Sequence, residues 1–285
     1  MYLHKGMKSI PYNKHKLKMA GQYGYLEDYI NELRSNGRYA FPLQEIRNKF
    51  HQSDEAISKV LQRLKKKKQI ALVRNEFYVI VTPEYRSSGI LPPSLFVSEL
   101  MKFLGKDYYI GLLNAAAYYG AAHQQPQSFS VITTKPSLRN INNDSLKLNF
   151  YVKKEWTKDD IVKQKVDTGY INVSSPELTA LDLVFYFDQS GGFNRVATVL
   201  EELSESLDSN KLLDTVRRFP QITTVQRLGF LLENVLGKSN LSEPIKEYLR
   251  TERHYPILLR PQKEKSEMIS GNDWKVVQNV EIETD

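Results

Sequence analysis

Between residues 53 and 74 the side chains suited to gripping a polyanion recur at helical spacing. Ser58, Lys59, Gln62 and Arg63 carry hydrogen-bonding groups of the kind that meet base edges, and Gln and Arg are suited to paired, bidentate contacts. Lys65, Lys66, Lys67 and Lys68 follow without interruption. Such a run wraps a helix end, so it cannot face one groove as a whole. Its chemistry is phosphate contact and compensation of the helix dipole. Arg74 stands at the tip of the next predicted element, within reach of an adjacent groove or phosphate. The candidate DNA-binding set is therefore Ser53, Ser58, Lys59, Gln62, Arg63, Lys65, Lys66, Lys67 and Arg74. The plain alternative is a solvated lysine face on a protein-interaction module.

The elements that would position this set follow from periodicity. Leu26, Tyr29, Ile30 and Leu33 recur at three- and four-residue steps, which predicts a helix from Tyr23, closed by Gly37. A short second helix fits Pro42 to Phe50, with proline in its first turn and Leu43, Ile46 and Phe50 as its apolar stripe. His51 and Gln52 make a tight turn. Ser53 then caps a third helix with Asp54 and Glu55 in its first turn, where the helix dipole favours acids. Ile57, Val60, Leu61 and Leu64 fall on one face of that helix, and Glu55, Lys59, Gln62 and Lys66 on the other. Two apolar runs, Ile70–Val73 and Phe77–Val81, flank a polar tip and read as a hairpin. Helix, short helix, turn, basic helix and hairpin is the order of a winged helix-turn-helix, in which the third helix enters the major groove. That module is expected over residues 21–86, after a basic flexible arm at residues 1–20 that holds five lysines and no acid.

Charge supports a division of labour. Residues 1–86 hold 17 Lys+Arg and 8 Asp+Glu, a balance of +9, whereas residues 87–285 balance at −2 within a chain total of +7. A basic module joined to a near-neutral body suggests polyanion binding by the first and another task for the second. At 285 residues the chain has room for about two domains. With no cysteine, disulfide scaffolds, thiolate zinc sites and thiol nucleophiles are excluded. No stretch is apolar enough to span a bilayer. The basic segment Lys5 to Lys18 leads into no apolar signal core, so a cytoplasmic location is expected.

Thr82 to Pro93, with Pro83, Gly89, Pro92 and Pro93, reads as a linker. The body, residues 87–285, then opens with a helix near Ser94–Leu104. A second helix, buried nearly all round, is expected over Tyr108–Gly120. Strands fit Phe129–Thr133, Leu146–Val152 and Tyr170–Val173, with residues 154–168 as a polar hairpin or insertion. Ser175-Pro176-Glu177 is a helix start with cap, proline and acid in order. Further helices fit Phe193–Leu207, Asn210–Phe219, Thr223–Leu236 and Ser242–Thr251. Strands at Pro256–Arg260 and Trp274–Ile282 close the chain. The fold class expected is α+β: an N-terminal winged helix and a larger C-terminal domain with a mixed or antiparallel sheet.

The body shows no motif for catalysis. His4, His15, His51, His123 and His254 have no ligand spacing, and neither a Walker loop nor a nucleophile elbow occurs. Gly191-Gly192 is a helix-entry turn. Glu177 and Asp182 lie about 140° apart around a helix and do not converge, so Glu177 is read as a dipole partner. Asp159-Asp160 is read as a solvated loop pair. Arg217, Arg218 and Arg227 form a candidate interaction site for an anion or partner, against the alternative of surface helix charge. No enzyme activity, cofactor or metal is expected.

Four segments, in order, resemble the AbiE-type antitoxins of type IV toxin–antitoxin abortive-infection systems (the AbiEi family). The first is Tyr108-Tyr109-Ile110-Gly111-Leu112-Leu113-Asn114-Ala115-Ala116-Ala117-Tyr118-Tyr119-Gly120 with Gln125-Pro126 and the strand Phe129–Thr133. The second is Ser175-Pro176-Glu177-Leu178-Thr179-Ala180-Leu181-Asp182-Leu183, similar to a helix that starts T-P-E and ends L-D-L. The third is Gln226-Arg227-Leu228-Gly229-Phe230-Leu231-Leu232-Glu233. The fourth is Trp274-Lys275-Val276-Val277-Gln278-Asn279, similar to a final W-x-(V/L)-x-x-N strand. The hairpin tip differs from the family pattern, with Arg74-Asn75-Glu76-Phe77 where a Gly-rich R-G-x-Y is usual.

The resemblance implies a winged-helix DNA-binding domain joined to an antitoxin domain, and repression of the module's own promoter at inverted repeats in double-stranded DNA. It also implies neutralisation of a cognate nucleotidyltransferase-like toxin without a stable complex, in phage defence and with no membrane involved. A stand-alone winged-helix regulator with a ligand-sensing or dimerising body is the alternative reading. A DNA-tethered enzyme such as a nuclease is the third.

Overall fold

The computed structural model describes residues 24–122, 126–261 and 271–284. The arm expected over residues 1–20, His4, His15, His123 and Gln125 lie outside them. The chain divides into two compact units, Met1–Leu91 and Pro92–Asp285.

In the first unit the order is α1 (Tyr25–Ser35), β1 (Ala40–Pro42), α2 (Leu43–Lys49), α3 (Asp54–Lys66), β2 (Ile70–Arg74) and β3 (Phe77–Ile80). The three strands form an antiparallel sheet in the order β1-β3-β2. The amphipathic spacing explains the packing. Leu26, Tyr29, Ile30 and Leu33 of α1 meet Ile46 of α2 and Ile57, Leu61 and Leu64 of α3 in one core, closed by Phe41, Ile70 and Ile80 from the strands. Ser53 caps α3 as expected, its hydroxyl accepting from the Ala56 amide at 3.3 Å. Strand β1 has no counterpart in the sequence reading. Pro42 is not in the first helical turn but ahead of it, as the last residue of β1 with an extended backbone, paired with Phe77. Three residues are too few to show an alternating pattern, and a proline at a strand end removes only one ladder donor.

The second unit has α4 (Val97–Phe103), β4 (Tyr108–Ile110), α5 (Leu112–Tyr118), β5 (Phe129–Thr133), β6 (Ile141–Asn142), β7 (Lys147–Val152), β8 (Ile161–Val166) and β9 (Gly169–Ser174). These are followed by α6 (Pro176–Phe185), α7 (Phe193–Leu203), α8 (Ser209–Arg218), α9 (Ile222–Phe230), α10 (Ser239–Thr251), β10 (Ile257–Leu258) and β11 (Val276–Val277). A six-stranded sheet runs β6-β7-β5-β4-β9-β8. It is mixed: β4 is antiparallel to β5 and parallel to β9, while β5 and β7 are parallel. The expected α+β body is thus present, with ten α-helices in the described chain.

Two further expectations are corrected. Tyr108–Gly120 is not one helix. Tyr108–Ile110 is a central, fully buried strand, and only Leu112–Tyr118 is helical. Two aromatics and a β-branched residue favour a strand, and a buried apolar run of this length does not distinguish strand from helix by periodicity. Gly111 makes the break: its backbone is extended, and a Cβ there would lie 2.8 Å from Ile132 Cγ1. Asp159-Asp160 is not a solvated pair, for Asp160 is 5 % exposed and bonded to Arg218. Of the two alternatives for residues 154–168 the hairpin is the one present: Ile161–Val166 pairs β9 antiparallel. The segment Thr223–Leu236 is helical as expected, but its second half, Leu231–Val235, is a π-turn.

The closing segment braces the helices of the body. Trp274 is buried and lies on Gly229 of α9 so closely that a Cβ there would be 1.9 Å from the ring. Its indole N–H donates to Glu233 Oε2 at 2.7 Å, and Lys246 of α10 bonds Glu233 Oε1 at 2.6 Å. Glu233, which joins the two, lies within the π-turn Leu231–Val235.

Candidate functional site

In the first unit, α3 turns Ile57, Leu61 and Leu64 inward and leaves Ser58, Lys59 and Gln62 exposed. One turn separates Ser58 from Gln62, about 6 Å along the axis, so the three share one face. Lys65, Lys66, Lys67 and Lys68 are exposed where the helix ends, and Lys68 adopts a positive φ there. Arg63 is placed differently from its neighbours. Its guanidinium turns back to α1 and bonds Glu27 at 2.6 Å. Ser53 is exposed but its hydroxyl serves the cap. Arg74 is half-buried at the end of β2, opposite Phe77.

Sequence reasoning missed the residue that ties this face together. Arg47 of α2 donates to Asp54 at the start of α3 (3.0 Å) and to Glu76 at the hairpin tip (2.9 Å). Those two carboxylates hold its guanidinium firmly charged, raising its pKa. One cation thus links α2, the first turn of α3 and the tip, and it offsets two acids at the end of α3 nearest that tip. Behind it, Glu45 accepts two bonds from Arg38 (2.8 and 3.0 Å) and one from the Tyr29 hydroxyl. The Arg38 contact holds the Glu45 carboxyl below its ordinary value, and the Tyr29 phenol is pushed up, chiefly by burial.

The body carries a buried polar centre. Asp182, fully buried in α6, accepts from Lys153 Nζ (2.7 Å) and from the Tyr109 hydroxyl (2.6 Å). Burial and the adjacent carboxylate push the Tyr109 phenol well above its ordinary value. Lys153 is only 7 % exposed, and its ammonium sits 4.3 Å from the centre of the Phe219 ring. Trp156 stands edge-on to Tyr109. Asp160 accepts from Thr157 (2.8 Å), Thr215 (3.1 Å) and Arg218 (2.6 Å). A signal for this centre exists in the sequence: an aspartate inside the apolar helix Pro176–Phe185 must find a partner, because a buried lone charge is prohibitively costly. The identity of that partner, 29 residues upstream, is not written in any local pattern.

The three body arginines do not converge. Arg217 is exposed and pairs with Asp214 one turn back, at 3.4 Å. Arg218 belongs to Asp160, whose bond raises its pKa. Arg227 faces the carbonyls of Leu258 and Leu259, bonding them at 2.9–3.3 Å, and burial lowers its pKa. Glu177 starts α6 as read, but it is also buried and accepts from the Asp208 amide at 3.3 Å. Among the described residues no group of three or more His, Asp or Glu is placed to hold a metal, and no helix is long and apolar enough to cross a membrane.

Fold and site together define an α+β protein with a mixed-sheet body whose polar residues lock the interior. Residues 109–234 match the sequence pattern of the AbiEi antitoxin C-terminal domain, which supports the resemblance of the body to the AbiEi-type antitoxins. The match supports an antitoxin role in a toxin–antitoxin system, a role that implies a cognate toxin. Among solved structures, the fold is similar to that of the RV2827C protein from Mycobacterium tuberculosis. The TM-score is 0.63 at 12 % identity, over 88 % of this chain and 90 % of that one. No curated protein matches the chain.

Proposed function

We propose that residues 21–86 are a winged helix-turn-helix that binds promoter DNA, and that residues 87–285 carry the antitoxin action. In this reading α3 enters the major groove, and Ser58, Lys59 and Gln62 read base edges. Lys65 to Lys68 contact phosphates, and the β2–β3 hairpin with Arg74 is the wing. Arg63, tied to Glu27, orients α3 instead of reading bases. The chain acts in the cytoplasm without catalysis, as the autorepressor of a type IV module. It binds inverted repeats in its own promoter and counteracts a nucleotidyltransferase-like toxin.

The observation that carries this reading is the single face of α3 on which three hydrogen-bonding side chains stand exposed beside four free-standing lysines. The +9 balance of residues 1–86 supports it. The test is a gel-shift titration of the full chain on its upstream promoter. With about six to ten phosphate contacts, affinity falls about 10³–10⁵-fold between 50 and 200 mM salt. Binding indifferent both to salt and to Lys59→Ala or Gln62→Ala would refute the DNA reading. Co-expression with the neighbouring gene, scored as growth rescue, tests the identity of the toxin.

A further inference from the structure

A cleft of about 180 Å³ opens in the body between the segment Lys153–Asp160 and the C-terminal end of α8. Its lining brings together Lys153, Trp156, Thr157, Asp160, Arg218 and Phe219. The ammonium of Lys153 has three N–H donors. One goes to Asp182 Oδ1, and the Phe219 ring covers another side of the group. Among the described residues no acceptor takes the remaining donors. The ammonium is 7 % exposed and borders the cleft, so its remaining N–H groups can donate to an acceptor that enters there.

The carboxylates nearby do not cancel it. Asp182 divides its charge between Lys153 and the Tyr109 hydroxyl. Asp160 accepts from Thr157, Thr215 and Arg218, and the last of these neutralises its charge. What the cleft presents is the Lys153 ammonium, the Arg218 guanidinium paired with Asp160, the Glu155 carboxylate, which pairs with Lys154 at 3.8 Å, and the rings of Trp156 and Phe219.

We propose that this cleft binds a small molecule bearing a carboxylate on a flat apolar body. A carboxylate oxygen accepts from Lys153 Nζ, and the flat body lies against Trp156 and Phe219. The space suffices, since a cavity of about 150 Å³ holds benzene. Free phosphate meets the ammonium but offers nothing to the aromatic walls. The inference rests on neither the DNA reading nor the toxin's identity.

The test uses the full chain with benzoate as probe, read by ligand-observed saturation-transfer NMR and titration, with inorganic phosphate as a parallel probe. Lys153→Met alone strands Asp182, so the lysine is tested in the double variant Lys153→Met/Asp182→Asn, which removes both charges together. Trp156→Ala tests the wall, and thermal melts of both variants establish that they fold. Benzoate is expected to show saturation transfer to the wild-type chain, with affinity reduced at least tenfold in the double variant and measurably in Trp156→Ala. Three results would overturn the proposal: no transfer to the wild-type chain, undiminished affinity in a folded double variant, or phosphate binding without benzoate binding. Should the double variant fail to fold, Trp156→Ala and the wild-type titration still decide.

Discussion

On α3 of the first unit, Ser58, Lys59 and Gln62 stand in solvent, and the helix is held from behind by Ile57, Leu61 and Leu64. In the body, the residues that carry the family resemblance are turned the other way. Tyr109 and Asp182 bond each other in the interior, Arg227 bonds the carbonyls of Leu258 and Leu259, Gly229 receives the Trp274 ring, and Asn279 exchanges bonds with the backbone of Arg260. The contrast separates two kinds of information. The body's signature residues specify how helices and sheet are locked together. The side chains exposed on α3, Ser58, Lys59 and Gln62, take no part in the core behind them, so their chemistry is set independently of the packing.

Substitutions sharpen this contrast. The largest effect is expected at the buried pair. Lys153→Met leaves the Asp182 carboxylate with Tyr109 alone and should cost about 3–5 kcal/mol in a denaturant titration of the body. A loss below about 1 kcal/mol would mean that water reaches Asp182. Next, Gly229→Ala drives a methyl group into an indole that has Glu233 and Lys246 fixed around it. Overpacking of this kind costs about 1–3 kcal/mol, read as a lowered melting temperature. Gln62→Ala should leave the melt unchanged yet weaken operator binding by about 1–3 kcal/mol and relax its specificity. Lys66→Ala should weaken all sequences alike and reduce the salt slope by about one. If Gln62→Ala lowers the melting temperature as much as Gly229→Ala does, the contrast between the units fails.

The smallest effect concerns acid. Because Arg38 holds Glu45 below its ordinary value of 4.5, the folded first unit binds fewer protons at this site than the unfolded chain does. Its contribution is present in full above that value and disappears as pH falls through the lower, folded one. Glu45→Gln should therefore flatten the acid limb of the first unit's stability curve, measured by circular dichroism from pH 6 to pH 2.

The first unit was largely legible because its elements are local and amphipathic. Helix faces at Leu26–Leu33 and Ile57–Leu64, the cap at Ser53 and the hairpin at Phe77 each announce themselves within one or two turns of sequence. The body was legible where a cap or an alternation marks an element, as at Ser175-Pro176 and at the strand Phe129–Thr133. It was not where tertiary burial decides. Tyr108–Ile110 becomes a strand because neighbours flank it on both sides, and β1 exists only because Phe77–Val79 lies opposite. Ion pairs were the least legible feature. Arg47 is joined to Glu76 across 29 positions and Arg218 to Asp160 across 58, and no periodicity encodes such partners.

The seat of Trp274 has a practical consequence. The chain has only two tryptophans, and this one is 1 % exposed against Gly229. With Trp156 replaced by phenylalanine, ultraviolet emission would come from a single indole, blue-shifted while the closing segment is docked and red-shifted once it lifts into water. The body thus contains its own optical gauge of whether its last stretch is in place.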